Sequence, residues 1–291
     1  MIGIVKEAVQ TYNIRILMSK FILTLAISIA AFILFTSSSL AEKTISGTLC
    51  TKDNIAIAYD HYKNGFDTVI IVCPGFYNSK TNRWMQKTVE ILSSKYDVII
   101  FDFRGHGMSG GRYAWSAKED IDVDSVLDYA GSQGYKNIGI VAFSLGAAAA
   151  VNSVASQDNV DSMVLISCPS SFRMIDFHFW EPEMFADLKD NIECKWEGKG
   201  ALTCSILMPK KDPINTIKNI KHTPILFIAG DKDWVIKDHH SKELYAAAAE
   251  PKRLEIIKGG GHAERLIQKD TKMMRDLILG WFAETIKTHE R

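Results

Sequence analysis

Ser144 stands at the centre of Ala142-Phe-Ser-Leu-Gly146, directly after the apolar run Ile138–Val141 and directly before an alanine-rich stretch. A serine that is to attack a carbonyl must stand clear of a sheet on a sharp strand-to-helix turn. The crowding there tolerates only tiny residues two positions to either side. Gly146 meets that requirement, and Ala142, in place of a second glycine, still fits. A helix opening at this turn points its positive end at the reacting centre, where it favours a developing oxyanion. Such pentapeptides are common at strand–helix junctions, so the partners decide.

Among the eight histidines, His262 alone follows an apolar run on a glycine-rich loop, Ile256-Ile-Lys-Gly-Gly-Gly-His262, which lets the backbone turn back over a site. His239 and His240 open a polar helix and read as solvated, His178 and His222 fall in an irregular stretch, and His61 lies in an early strand. The buried run Pro224–Ala229 opens into Gly230-Asp-Lys-Asp233-Trp-Val-Ile236. An aspartate there can accept the imidazole Nδ1–H, fix its tautomer and stabilise the imidazolium during turnover. Serine, acid, histidine in that chain order separates this arrangement from the other serine-protease architectures.

These residues need a frame. Strands are expected at Ile55–Tyr62, Thr68–Cys73, Val98–Phe101, Ile138–Phe143, Met163–Ser167, Ile225–Ala229 and Arg253–Ile257. Several are unbroken Val/Ile/Leu runs, as a sheet buried on both faces requires. Helical patterns fall between them at Trp84–Ser94, Lys118–Gln133, Leu145–Ser156, Asp238–Ala249 and Glu264–Thr288. The alternation predicts an α/β fold with a mostly parallel sheet and helices on both faces. Residues 170–222 break the rhythm and gather Phe172, Phe177, Phe179, Trp180 and Phe185. This stretch reads as a small cap inserted over the carboxyl end of the sheet, its aromatics either a private core or the lining of an acyl pocket.

The 291 residues suffice for one large domain with an insertion. Lys plus Arg and Asp plus Glu both number 34, so no basic field exists to collect nucleic acid. Residues 1–41 stand apart. Arg15 and Lys20 precede the apolar run Phe21–Phe35 and a small-x-small site at Ser39 and Ala41, the pattern of a secretory signal. Met18 makes a more conventional start for it than Met1. The uncharged stretch 21–41 is also long enough for an uncleaved anchor and membrane association. Either reading places residues 42–291 outside the cytoplasm, periplasmic, secreted or anchored. Five cysteines leave at least one thiol unpaired. Cys194 and Cys204, flanking a polar turn, are the candidates for a bridge, while Cys73 and Cys168 read as small buried hydrophobes. No cysteine has metal-ligand spacing. Asp120, Asp122 and Asp124 lack the glycine and closing glutamate of a calcium loop and read as first-turn helix acids.

From about residue 53 onward the chain resembles the α/β-hydrolase family, in particular its lysophospholipase-like and serine-aminopeptidase-like branch. Asp102-Phe-Arg-Gly-His-Gly-Met-Ser109 is similar to that branch's Asp-x-Arg-Gly-x-Gly-x-Ser loop, and Gly230–Ile236 to its acid loop, whose fourth residue is the acid. The resemblance thus implies Asp233 over Asp231. Ile70-Ile-Val-Cys-Pro-Gly-Phe76 stands where the family has a strand followed by His-Gly-x, with Pro74 replacing the histidine. Carried over by position, the oxyanion hole would be the backbone amides of Phe76 and Leu145, and main-chain donors do not need that histidine. Gly105 and Gly107 serve tight turns, and Arg104 braces loops.

The expectation is a serine hydrolase cutting an acyl bond with Ser144, His262 and Asp233, a carboxylic ester in lipase-like fashion. Its partner is a small, apolar acyl substrate, and no cofactor or metal is implied. A thioesterase, a small-peptide hydrolase using cap acids Glu181, Glu183 and Asp187, an acyltransferase, and a non-catalytic binding protein of the same fold are the alternatives.

Overall fold

A computed structural model of the protein describes residues 43–286, with 176, 177 and 179 excepted. The expected leader, the last residues of the helix expected to reach Thr288, and the aromatics Phe177 and Phe179 lie outside the described residues. Among the described residues no helix is long and apolar enough to cross a membrane.

Strands β1 (Lys43–Cys50), β2 (Ala56–Lys63), β3 (Thr68–Cys73), β4 (Asp97–Phe101), β5 (Asn137–Phe143), β6 (Ser162–Ile166), β7 (Ile225–Gly230) and β8 (Lys252–Ile257) form one sheet. Their order is β1-β2-β4-β3-β5-β6-β7-β8. β2 runs antiparallel to both β1 and β4, and every other pairing is parallel. The chain has the α/β-hydrolase fold expected from its sequence.

The unbroken apolar strands are explained by what covers them. Along β3, Val69, Ile71 and Cys73 face one hydrophobic cluster while Ile70 and Val72 face another, and all five are fully buried. Helices α1 (Arg83–Ser93), α2 (Glu119–Ser132) and α3 (Ser144–Gln157) follow β3, β4 and β5 in turn. Next come α4 (Pro182–Glu193), α5 (Pro213–Thr216), α6 (Asp238–Ala247), α7 (Glu264–Lys269) and α8 (Thr271–Thr285). Residues of α2, α3 and α6 complete the first cluster, and residues of α1, α7 and α8 the second. Burying a strand side chain on either face contributes about 1.5–3 kcal/mol.

Four expectations need correction. β1 was not anticipated, because Thr, Ser and Gly dominate an edge strand whose side chains are only partly covered. The single helix expected from Glu264 breaks at Asp270, which leaves helical geometry at φ −150° and caps α8 by accepting from the Met273 N–H at 2.9 Å. His240 is fully buried rather than solvated, its Nδ1 2.8 Å from Ser170 Oγ. Cys194 and Cys204 are unpaired, the first against Arg83 and the second against the Arg112 carbonyl.

The stretch 170–222 contains α4, which presents a polar face to the body. Asp187 pairs with Arg265 at 2.6 Å and accepts from Trp234 Nε1 at 2.6 Å, and Asp190 pairs with Arg83 at 3.1 Å. Phe185, Leu188 and Ile192 occupy its exposed side. Of the clustered aromatics, Phe172 turns inward and Trp180 is exposed.

Candidate active site

The turn at the end of β5 places Ser144 at φ +51°, the left-handed region that a residue with a Cβ enters at a cost of about 1–2 kcal/mol. Close packing holds it there. A Cβ on Gly75 would lie 3.1 Å from Ser144 Cβ, and one on Gly146 would run into the Pro74 carbonyl oxygen. The atoms it meets are the backbone carbonyls of Pro74 and Cys73, which have no flexible side chain to yield, so Gly146→Ala is expected to push the loop of Pro74–Phe76 off the serine. Overpacking of this kind costs about 1–3 kcal/mol, and a misplacement near 1 Å costs about 10²-fold in rate. Thermal melting and kcat/KM on a chromogenic ester measure both; an unaltered kcat/KM would show that the loop's position does not matter.

The structure brings the three residues singled out for chemistry into one hydrogen-bonded chain. His262 Nε2 lies 3.0 Å from Ser144 Oγ. His262 Nδ1 lies 2.8 and 3.0 Å from the two oxygens of Asp233. Asp233 is fully buried, and its Oδ1 also accepts the Val235 and Ile236 N–H groups at 2.9 and 2.8 Å. Those bonds fix the carboxylate, which fixes the ring. Asp231 is not part of this chain; it accepts the Gly259 N–H at 2.6 Å.

Burial by itself would lower the His262 pKa. The Asp233 charge and hydrogen bond, with smaller pulls from Glu264 and Asp187, outweigh burial and raise it. Neutral His262 is the form able to take a serine proton. Activity is therefore expected to fall as pH drops through a value above the ordinary 6.5 of histidine. In Asp233→Asn that limb should move to lower pH while kcat falls about 10⁴-fold. A kcat/KM profile measures both, and an unmoved limb would detach His262 from the proton transfer.

Phe76 and Leu145, the expected oxyanion donors, both line the cavity that contains Ser144 and His262. Leu145 lies in the first turn of α3, directly after Ser144, where an N–H has no intrahelical acceptor. His106 holds the loop that carries Phe76 and Tyr77. Its Nε2 accepts the Tyr77 N–H at 2.9 Å and its Nδ1 donates to the Arg104 carbonyl at 3.1 Å. A carbonyl only accepts and an amide N–H only donates, so the tautomer is fixed and the basic nitrogen is occupied. His106 positions a loop. Burial lowers its pKa to about 4, keeping it neutral.

Arg104 does brace loops, as expected. It is 2% exposed and joins Asp122 at 2.7 Å and Asp53 at 2.9 Å. Asp120 and Asp124 pair instead with Lys211 and Lys52.

The cavity, about 420 Å³, is walled by Phe76, Trp115, Phe172, Ile175 and Ile206 on its apolar side. Phe76 and Trp115 pack with ring centroids 4.6 Å apart, and Phe172 continues the wall 6.0 Å beyond Trp115. Sequence reasoning missed Trp115, Lys199, Trp234, Glu264 and Arg265 here. It also missed Ser167, whose Oγ accepts the Ala263 N–H at 3.0 Å and braces the turn after His262. Trp234 and the pair Glu264 and Arg265 carried a faint signal, lying within three residues of Asp233 and His262. Trp115 and Lys199 carried none.

Residues 68–192 match a family model described as the alpha/beta hydrolase fold. A Mycobacterium tuberculosis protein described as uncharacterized is 28% identical over 237 residues, spanning 78% of this chain and 74% of its own length. A Saccharomyces cerevisiae protein described as an uncharacterized membrane protein is 26% identical, covering 80% of this chain and 78% of its own. The Pyrococcus furiosus esterase Pf2001 superposes with a TM-score of 0.68 at 22% identity, over 86% of this chain and 95% of that one. The esterase RhEst1 from a Rhodococcus species gives 0.67 at 15% identity, over 82% and 99%.

Proposed function

We propose that this chain, a protein of the α/β-hydrolase fold, is a serine hydrolase that cleaves carboxylic esters of apolar acyl groups. The observation that carries this reading is the continuous chain from Ser144 through His262 to buried Asp233 at the edge of an apolar cavity. His262 takes the Ser144 proton as Oγ attacks the acyl carbonyl, and the Phe76 and Leu145 amides hold the oxyanion. His262 then protonates the departing alcohol, and water, activated by the same imidazole, releases the acid from the acyl-enzyme. Each oxyanion donor contributes about 2.7–4 kcal/mol to the transition state.

An ester is favoured over an amino-terminal peptide because two cap acids that would hold a free amine are already engaged. Glu181 pairs with Lys237 at 2.6 Å and Asp187 with Arg265 at 2.6 Å. The esterase names of two structural neighbours agree with this choice. Labelling of the full chain by a fluorophosphonate, alongside turnover of hexanoate esters, tests the reading. Labelling and turnover are expected; a folded protein that does neither is a binding protein, not a hydrolase.

A further inference from the structure

The cavity that holds Ser144 has a second, polar wall formed by Asn78, Lys199 and Glu264. Lys199 Nζ lies 2.5 Å from Glu264 Oε1, with side chains 10% and 9% exposed. Asn78, itself buried, donates Nδ2 to the same oxygen at 3.0 Å. The ammonium has three N–H donors and spends one on Glu264; among the described residues the other two have no protein acceptor. Asn78 Oδ1 is closed off from the cavity, so Asn78 serves to hold Glu264 through its Nδ2.

This wall is built into the fold. The segment carrying Lys199 runs beside the loop that supplies the oxyanion hole, with Lys199 bridged to Asn78. Ser79 N–H donates to the Gly198 carbonyl at 2.9 Å, and Gly200 N–H to the Tyr77 carbonyl at 2.9 Å. Glu264 lies two residues beyond His262, close enough that each feels the other's charge. Burial works against the Glu264 carboxylate, but Lys199 and His262 hold its pKa at about 2, so the carboxylate is ionised at neutral pH.

We infer that Lys199, Glu264 and Asn78 form a leaving-group subsite for a neutral alcohol bearing a second hydroxyl beside the ester oxygen. The inference rests on the serine-hydrolase reading. His262 must hand its proton to the departing oxygen, so the leaving group lies on the His262 side of Ser144, where the polar wall stands. The acyl chain is left the apolar wall of Phe76, Trp115 and Phe172. A hydroxyl accepts from Lys199 and can donate in return, and buried polar groups without partners discriminate strongly against a substrate that leaves them so. An anionic leaving group gains little, because Glu264 already matches the Lys199 charge and Asp187 that of Arg265. The reaction remains hydrolysis: the acyl–oxygen bond breaks, and the alcohol leaves with the proton taken from Ser144.

The test compares 2-hydroxyethyl hexanoate with propyl hexanoate, which share the acyl group and differ by hydroxyl for methyl. The full-length wild type is expected to show kcat/KM at least about tenfold higher for the hydroxyethyl ester. In Lys199→Met/Glu264→Gln, which leaves no unpaired charge, that ratio should fall to about one. A wild-type ratio of one or below overturns the subsite, and so does a ratio that survives in the double variant. Either result, with both esters still turned over, leaves the serine hydrolase standing. Turnover of neither ester and no fluorophosphonate labelling overturns that underlying reading, and the subsite with it. If the double variant fails to fold, the wild-type ratio decides alone.

Discussion

Ser144→Ala is expected to abolish fluorophosphonate labelling and lower kcat on a chromogenic hexanoate ester by about 10⁶-fold, leaving only what oxyanion binding and substrate placement provide. The reason is positional as well as chemical. Ser144 Oγ meets His262 Nε2, at 3.0 Å, and Ser144 lines the cavity beside the first turn of α3. Water has no place fixed by covalent geometry there and cannot be held in the same attack position. Stability should move little, because alanine pays the same penalty at φ +51° that serine pays. Ser144→Gly separates the two effects. It is equally inactive, but it relieves the left-handed strain and should melt at or above the wild type. A Ser144→Ala protein that still turns over ester, with wild-type melting, would remove Ser144 from the chemistry.

The largest effect on stability is expected from Arg104→Met. Arg104 is buried where the loop after β4 meets α2, and its guanidinium spans Asp122 and Asp53. Asp122 has a fully buried side chain, so methionine leaves a carboxylate with no countercharge. Breaking a buried pair from one side costs about 3–5 kcal/mol. In a domain of this size that lowers the melting temperature by roughly 10 °C. The pH dependence carries its own sign. Burial raises the folded-state pKa of Asp122 to about 6 even with Arg104 in place, and the Arg104 contacts hold it from rising further. Without them it rises, and a raised carboxylate pKa makes stability decline as pH increases through it. The deficit of Arg104→Met should therefore be wide at pH 8 and narrow at pH 5, where Asp122 becomes protonated. Arg104→Met/Asp122→Leu, which removes the stranded charge, should recover much of the loss. A deficit that is flat across this range would mean that Asp122 is solvated in the variant.

The two effects are linked through His106. Arg104 presents the carbonyl that fixes the His106 ring, and the ring holds the Tyr77 N–H beside Phe76. Loosening the Arg104 cluster should thus reach the loop of Phe76 and Tyr77, although neither Arg104 nor His106 belongs to the Ser144–His262–Asp233 chain.

What could be read from the chain was whatever local physics dictates. Unbroken apolar runs such as Thr68–Cys73 could only be strands covered on both faces, and the structure supplies a separate hydrophobic cluster for each face. The elbow at Ser144 was legible because its crowding demands small residues at fixed offsets, and Gly146 against Pro74 shows that demand directly. Asp233 and His262 were legible because each follows a buried strand on a loop whose composition permits the turn. β1 escaped notice because an edge strand need bury little, and the break at Asp270 because one capping bond outweighs a continuous helical pattern.

Tertiary structure alone decided the walls of the cavity. Trp115 reaches Phe76 and Phe172, and Lys199 reaches Glu264, across separations of 39 to 65 residues that no periodicity encodes. It also decided which of several similar residues is engaged. His240 is buried against Ser170 where a helix start promised solvent, and Asp187 and Glu181 are spent on Arg265 and Lys237. The division has one physical cause. Backbone geometry and burial are set by neighbours along the chain, so they leave a pattern in it. A charge or a ring finds its partner only when the folded chain brings the two together.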